Sequence, residues 1–185
     1  TTHAATDARP DGAAAADALA ALIEARRARV GVVGLGYVGL PLAVGAARAG
    51  FSVTGFDIDP EKPAMLAAGR SYIDSVPSEA LAEEVAAGRF EATDDFSRLG
   101  EADVVVVCVP TPLTRQREPD LSFVVATAEA IAARLRQGQL VSLESTTWPG
   151  TTEEVLAPIF LGHGLKAGKD IALIFSPERE DPGNK

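Results

Sequence analysis

The chain has 185 residues, 46% of them hydrophobic and 23% charged, with a net charge of -9 and a single cysteine. That suffices for one domain with a sizeable core, and the acidic balance argues against nucleic acid or an anionic membrane as the main partner. No apolar run approaches a bilayer span, and Cys108 alone cannot build an internal disulfide framework, so cytoplasm is the expected location.

The opening "TTHAATDARPDGAAAADA" lacks a methionine, so the natural amino terminus is expected to be missing or processed. It also lacks the basic and apolar blocks of a signal peptide. Residues 1–20 read as a flexible tail, a short helix is predicted over roughly 13–27, and 21–185 read as the folded domain. His3 lies in the tail and receives no role.

Alternating strands and helices follow. "RVGVV" at 29–33 is the first strand, and "VGLPLAVGAARAG" a helix stopped by Gly50. "SVTGFD" at 52–57 is the second strand. "PEKPAMLAAG" is a short helix capped by Asp59 with Pro60 in its first turn. "SEALAEEVAAG" is another helix and "RFEATD" a weaker strand. "ADVVVVCVP" is an unbroken apolar run, the mark of a strand buried on both faces. Within it, Cys108 reads as a small buried core residue. Asp120 caps a helix over 121–137 that ends at Gly138. "QLVSLE", "TTEEVLAPIFLGHG" and "DIALIFS" are strand, helix and strand. His163, near the end of that helix, receives no function. Six strands with helical crossovers predict an α/β fold, a doubly wound and mainly parallel six-stranded sheet.

The chemistry begins in "VGVVGLGYVG". Gly34, Gly36 and Gly39 follow a strand and open a helix, which is the dinucleotide-binding pattern in its required context and makes the sheet a Rossmann fold. Gly34 permits the tight turn, Gly36 lets the backbone approach a pyrophosphate, and Gly39 lets helix and strand pack closely. Tyr37 and Val38 complete the cofactor-binding turn, and the helix offers N–H groups to the phosphates. Asp57 ends the second strand, 23 residues after Gly34. A carboxylate there accepts from the ribose hydroxyls and repels a 2′-phosphate, so NAD is favoured over NADP. Lys62 either reaches the ribose or phosphate region or is a solvated surface lysine.

"GLGYVGLPLA", "GFDIDPEK", "SYI", "VPTPL", "PDLS", "ESTTWPGTT" and "SPEREDPGN" occur in order across 30–184. This ordered set resembles the amino-terminal half of the UDP-glucose/GDP-mannose dehydrogenase family, and its ending is most similar to the UDP-N-acetylhexosamine 6-dehydrogenase branch. The resemblance implies oxidation of a nucleotide-sugar C6 hydroxyl to a carboxylate with two NAD. A cysteine in the family's second half holds the carbon as a thiohemiacetal and then a thioester, and a lysine there assists. That sugar-binding, cysteine-carrying half is not in these 185 residues, and Cys108 does not match its motif. The piece alone is therefore expected to be inactive.

"VPTP", "STTWPGTT" and "SPER" follow the fourth, fifth and sixth strands and are expected to line the crevice where the nicotinamide meets the sugar. By resemblance, Thr111 and Thr146 contact NAD, and Thr146 helps hold the hydrolytic water. Glu178 matches a carboxylate that assists hydrolysis, a general-base role. Thr146 and Glu178 are expected on one side of the sheet edge. Thr151 and Thr152 begin the next helix. Trp148 is read as a packing plug rather than a stacking platform, and Thr147 is undecided. Arg179 either binds substrate or pairs with Glu180 or Asp181.

Two other readings stay open. One is a β-hydroxyacid or 6-phosphogluconate-type dehydrogenase, which shares "GLGYVGLP" but is not expected to show "STTWPGTT" or "SPER". The other is a non-catalytic NAD-binding module. The sugar, N-acetylglucosamine or N-acetylmannosamine, is not legible. The resemblance implies a homodimer for the full-length enzyme, formed largely by later elements, which leaves a monomer open for this piece.

Overall fold

The computed structural model describes residues 12–115 and 119–176. α1 (Gly12–Glu24) leads into β1 (Arg29–Val33), α2 (Gly39–Arg48) and β2 (Ser52–Phe56). α3 (Glu61–Ala67) and α4 (Ser78–Ala86) precede β3 (Phe90–Thr93). β4 (Val104–Val107), α5 (Ser122–Ala132), β5 (Leu140–Leu143), α6 (Ala157–Gly162) and β6 (Ala172–Phe175) complete the order. The six strands form one sheet in the order β3-β2-β1-β4-β5-β6. Every neighbouring pair is parallel. The winding reverses between β1 and β4, which is where a doubly wound sheet opens a crevice beyond its carboxyl ends.

Both faces of the central strands are buried, which explains the unbroken apolar run of β4. Val30, Val32, Val53 and Val106 pack with Leu40 and Val44 of α2 on one face. Val105, Val107, Val141 and Leu143 pack with Val124 and Ile131 of α5 and with Phe160 of α6 on the other. Alternate β4 residues therefore serve opposite cores, and each fully buried Val or Leu contributes about 1.5–3 kcal/mol. Among the described residues, no helix is long and apolar enough to cross a membrane.

Three helices depart from their sequence expectations at the ends. α1 stops at Glu24 rather than 27, because Arg26 takes a left-handed turn with φ 56°. α5 stops at Ala132 rather than 137. There Arg136 N–H donates to the Gln139 side chain three residues on and the Arg136 guanidinium pairs with distant Asp103, so a local side chain and a tertiary partner replace helical ones. The predicted helix at 151–164 opens with a wide turn, Thr152–Leu156, before α6. Pro158 has no N–H to give to residue 154, and its ring crowds that carbonyl. The Ala157 N–H reaches back to Thr152 O instead. A 3-10 turn at Phe96–Glu101, capped by Asp95 on Ser97 N–H at 3.0 Å, was not anticipated. The N-cap positions fall one residue later than expected, at Pro60 and Leu121, while Asp59 accepts from Glu61 N–H at 3.0 Å and Asp120 from Ser122 N–H at 2.9 Å.

Candidate functional site: a cleft along the strand ends

Gly34 leaves β1 with φ 91°, and its N–H donates to Phe56 O at 2.8 Å. A Cβ there would lie 2.5 Å from the Cys108 carbonyl oxygen. A Cβ on Gly39 would lie 1.8 Å from Gly34 O, so only glycine lets α2 start this close to the strand. Gly36 differs from both: nothing stands within 4 Å of its Cβ position. Two glycines are thus demanded by packing, and the third opens onto space.

That space is a cleft with two lobes. The first, about 190 Å³, runs over Gly34 and Gly36 to Asp57, Ile58 and Lys62, with Phe96 and Phe123 among its apolar walls. The second, about 280 Å³, runs from Gly36, Tyr37 and Val38 to Thr111, Glu144 and Thr146. Gly36, Cys108, Val109 and Pro110 line both lobes and form the waist.

Asp57 is buried at the end of β2 and holds the first lobe together. Its Oδ2 accepts from Leu35 N–H and from Lys62 Nζ, each at 2.9 Å, and its Oδ1 accepts from Asp59 N–H at 3.0 Å. Lys62 is therefore neither free in solvent nor remote, because it caps the carboxylate at the mouth of the lobe. Tyr72 Oη donates to Leu35 O at 2.7 Å, so the peptide groups on both sides of Leu35 are pinned. Burial, then the charges of Asp57 and Asp59, push the Tyr72 phenol well above its ordinary value and keep it a donor.

In the second lobe, Thr146 is exposed and Thr111 half-buried. Ser145, buried between them, donates to Val109 O at 2.8 Å and ties the two loops together. Ser142 donates to Glu144 Oε1 at 2.6 Å and aims that carboxylate along the strand end. Thr151 begins the helical turn, and its hydroxyl donates to Trp148 O at 2.8 Å. Trp148 is 40% exposed and so is not the packing plug read from the sequence; a proline and a glycine follow it, and the loop carries it outward. Thr147 Oγ1 is buried with no partner among the described residues. Cys108 is buried, as expected, but at the waist of the cleft. Glu178 and Arg179 lie outside the described residues, as does His3. β6 runs parallel beside β5, and Ser176 N–H donates to Leu143 O at 3.0 Å. His163 Nε2 lies 3.2 Å from Glu129 Oε2, away from the cleft.

Tyr72, Ser145 and Glu144 were not singled out as site residues from sequence. "SYI" and "ES" were visible as motif text, but only the fold shows which atoms they reach. Among the described residues, no group of three or more His, Cys, Asp or Glu side chains could hold a metal.

Residues 28–185 match the model of the UDP-glucose/GDP-mannose dehydrogenase family, NAD binding domain. A UDP-N-acetyl-D-glucosamine 6-dehydrogenase of Pseudomonas aeruginosa is 41% identical over 160 residues, covering 85% of this chain and 36% of the relative. The solved structure of the Pyrococcus horikoshii UDP-D-ManNAc dehydrogenase superposes with a TM-score of 0.78 at 36% identity, covering 84% of this chain and 37% of that one. An NDP-N-acetyl-D-galactosaminuronic acid dehydrogenase from Methanosarcina mazei gives 0.78 at 38% identity, covering 88% and 37%. The chain thus spans little more than a third of each relative's length.

Proposed function

The chain belongs to the UDP-glucose/GDP-mannose dehydrogenase family, as its NAD binding domain, and from that premise we propose that it is the cofactor half of a UDP-N-acetylhexosamine 6-dehydrogenase. The observation that carries this reading is the continuous cleft from Asp57 to Thr146, with the open side of Gly36 at its waist. The residues present fit NAD. Gly36 leaves room for a pyrophosphate beside the start of α2. Asp57 offers the remaining acceptor capacity of its carboxylate to ribose hydroxyls, and Lys62 stands beside it as a movable cation. The apolar walls contributed by Phe96 and Phe123 suit an adenine ring.

NAD supplies the hydride acceptor for the sugar carbon. The chain's own residues then act on orientation and water. Thr111 and Thr146 line the far lobe, where the nicotinamide end would meet the sugar, and the Thr146 hydroxyl can hold one water. Glu178 follows the strand next to that of Thr146 and is assigned the general-base role in hydrolysis. The substrate is a UDP-sugar with an acetamido group, which the similarity to the Pseudomonas aeruginosa relative supports. We assign the full-length enzyme to the cytoplasm as a homodimer.

The test is an assay of the full-length protein with NAD and a panel of UDP-N-acetylglucosamine, UDP-N-acetylmannosamine, UDP-glucose and GDP-mannose. Two NADH per sugar and a uronic acid product are expected with an acetamido sugar. No turnover on any nucleotide sugar, with oxidation of a small β-hydroxy acid instead, would overturn the reading.

A further inference from the structure

Tyr72 lies on neither a strand nor a helix, in the segment between α3 and α4. The segment is firmly anchored. Ile73 and Val76 are buried in the core under α2, and Ser71 N–H donates to Ser78 Oγ at 3.0 Å. The aromatic ring packs on the same core, and its hydroxyl projects to the glycine turn. There it meets one atom, the carbonyl oxygen of Leu35, between Gly34 and Gly36.

The peptide joining Leu35 to Gly36 is planar and trans, so its C=O and its N–H point in opposite directions. Holding Leu35 O towards Tyr72 therefore turns Gly36 N–H the other way. Leu35 N–H is fixed in turn by Asp57, so the residue cannot rotate to relieve the constraint. Gly36 is the one glycine of the turn whose Cβ side is open, and it lines both lobes of the cleft.

We propose that Tyr72 is a positioning residue for the cofactor's pyrophosphate: by holding the Leu35 carbonyl it aims the Gly36 N–H into the cleft. The inference rests on the reading of the cleft as the NAD site. Tyr72 touches no phosphate itself; it sets the direction of a donor that does. An N–H aimed in advance costs nothing to reorganise when an anion arrives, which is how oriented backbone amides bind phosphate. The competing role is a plain tether for the 70–77 segment, which would alter stability but not discriminate between ligands.

The experiment compares the unmodified chain with Tyr72→Phe, which keeps the ring and removes the hydroxyl. Dissociation constants are measured for NAD, ADP-ribose and adenosine, alongside the melting temperature and the amide resonance of Gly36. Loss of one neutral hydrogen bond predicts NAD and ADP-ribose roughly three- to tenfold weaker. Adenosine, which has no pyrophosphate, is expected to bind as before, and the Gly36 resonance to move in the free protein. As a control, Ile73→Val loosens the anchor without touching the hydroxyl; it lowers the melting temperature and leaves the ratio of NAD to adenosine affinity unchanged. Unchanged NAD binding in Tyr72→Phe, equal weakening of all three ligands, or the same ratio change in Ile73→Val would refute the positioning role. Failure of the unmodified chain to saturate with NAD would remove the cofactor reading itself, and the inference with it.

Discussion

Leu35 N–H donates to Oδ2 of Asp57 at 2.9 Å, so the acid at the end of β2 and the glycine turn at the end of β1 are one unit. The carboxylate proposed to select the ribose also holds the loop proposed to receive the phosphates. Asp57→Ser should therefore do two things. NAD binding should weaken by roughly 1.5–3 kcal/mol, the cost of a hydrogen bond to a charged group. NADP should lose less, because a negative charge facing its 2′-phosphate also disappears. Titration of the variant with both cofactors reads the narrowed gap, and an unchanged ratio would show that Asp57 serves only the loop.

The three glycines of the turn should separate under mutation. Gly39→Ala forces a Cβ to within 1.8 Å of Gly34 O and should destabilise the fold by at least about 2 kcal/mol. Gly36→Ala meets nothing within 4 Å and should leave the urea midpoint nearly unchanged while weakening NAD. Equal destabilisation by both would contradict the view that one glycine is kept for the ligand and the other for packing.

Much of this was readable in advance for a physical reason. "RVGVV" and "ADVVVVCVP" announce strands because β1 and β4 are covered on both faces, and burial on two sides leaves little place for polar residues. Glycines at 34, 36 and 39 announce a turn because backbone geometry excludes other residues at two of them. The end of α5 was not readable, because there Arg136 pairs with Asp103 across the fold while its N–H turns to the nearby Gln139 side chain. Pro158 gave warning of an irregular helix, but not of how the turn before it would open. The role of Tyr72 was hidden for the same reason as the end of α5: a phenol's target is 37 residues away in sequence and depends on how α3 and α4 pack. Trp148 was misjudged because a lone tryptophan suggests a core, whereas its loop turns it towards solvent.

Acid should loosen the domain in a defined direction. Asp120 is held below its ordinary value by the Ser122 N–H, Asp95 by Ser97, and Glu91 chiefly by its hydrogen bond to Arg98. A depressed folded value means that the unfolded chain takes up protons first as pH falls. The stabilising contribution is complete above the ordinary carboxylate range, about pH 4, and is lost as pH drops through the lower folded values. Asp120→Asn keeps an acceptor for the cap but not its titration. The fall in urea midpoint between pH 6 and pH 3 should be smaller in this variant than in the unmodified chain, and an equal fall would remove Asp120 from the acid response.

In the full-length enzyme, Thr146 and Glu178 should share the hydrolytic step unequally. β5 and β6 are parallel neighbours, and in the sequence Thr146 comes after the first and Glu178 after the second. Glu178→Gln removes the proposed base and should trap enzyme-bound acyl species, seen by mass spectrometry after rapid quench. Thr146→Ala removes the hydroxyl proposed to hold the water and should slow the same step less. Release of acid at the normal rate in Glu178→Gln would end the assignment.

The central claim is that the cleft from Asp57 to Thr146 is an NAD site with a ribose-selecting acid. Calorimetric titration of the unmodified chain with NAD and NADP tests it most directly. Saturable NAD binding, with NADP clearly weaker, is the predicted result. NADP binding as tightly as NAD, or no binding of either, would contradict the account.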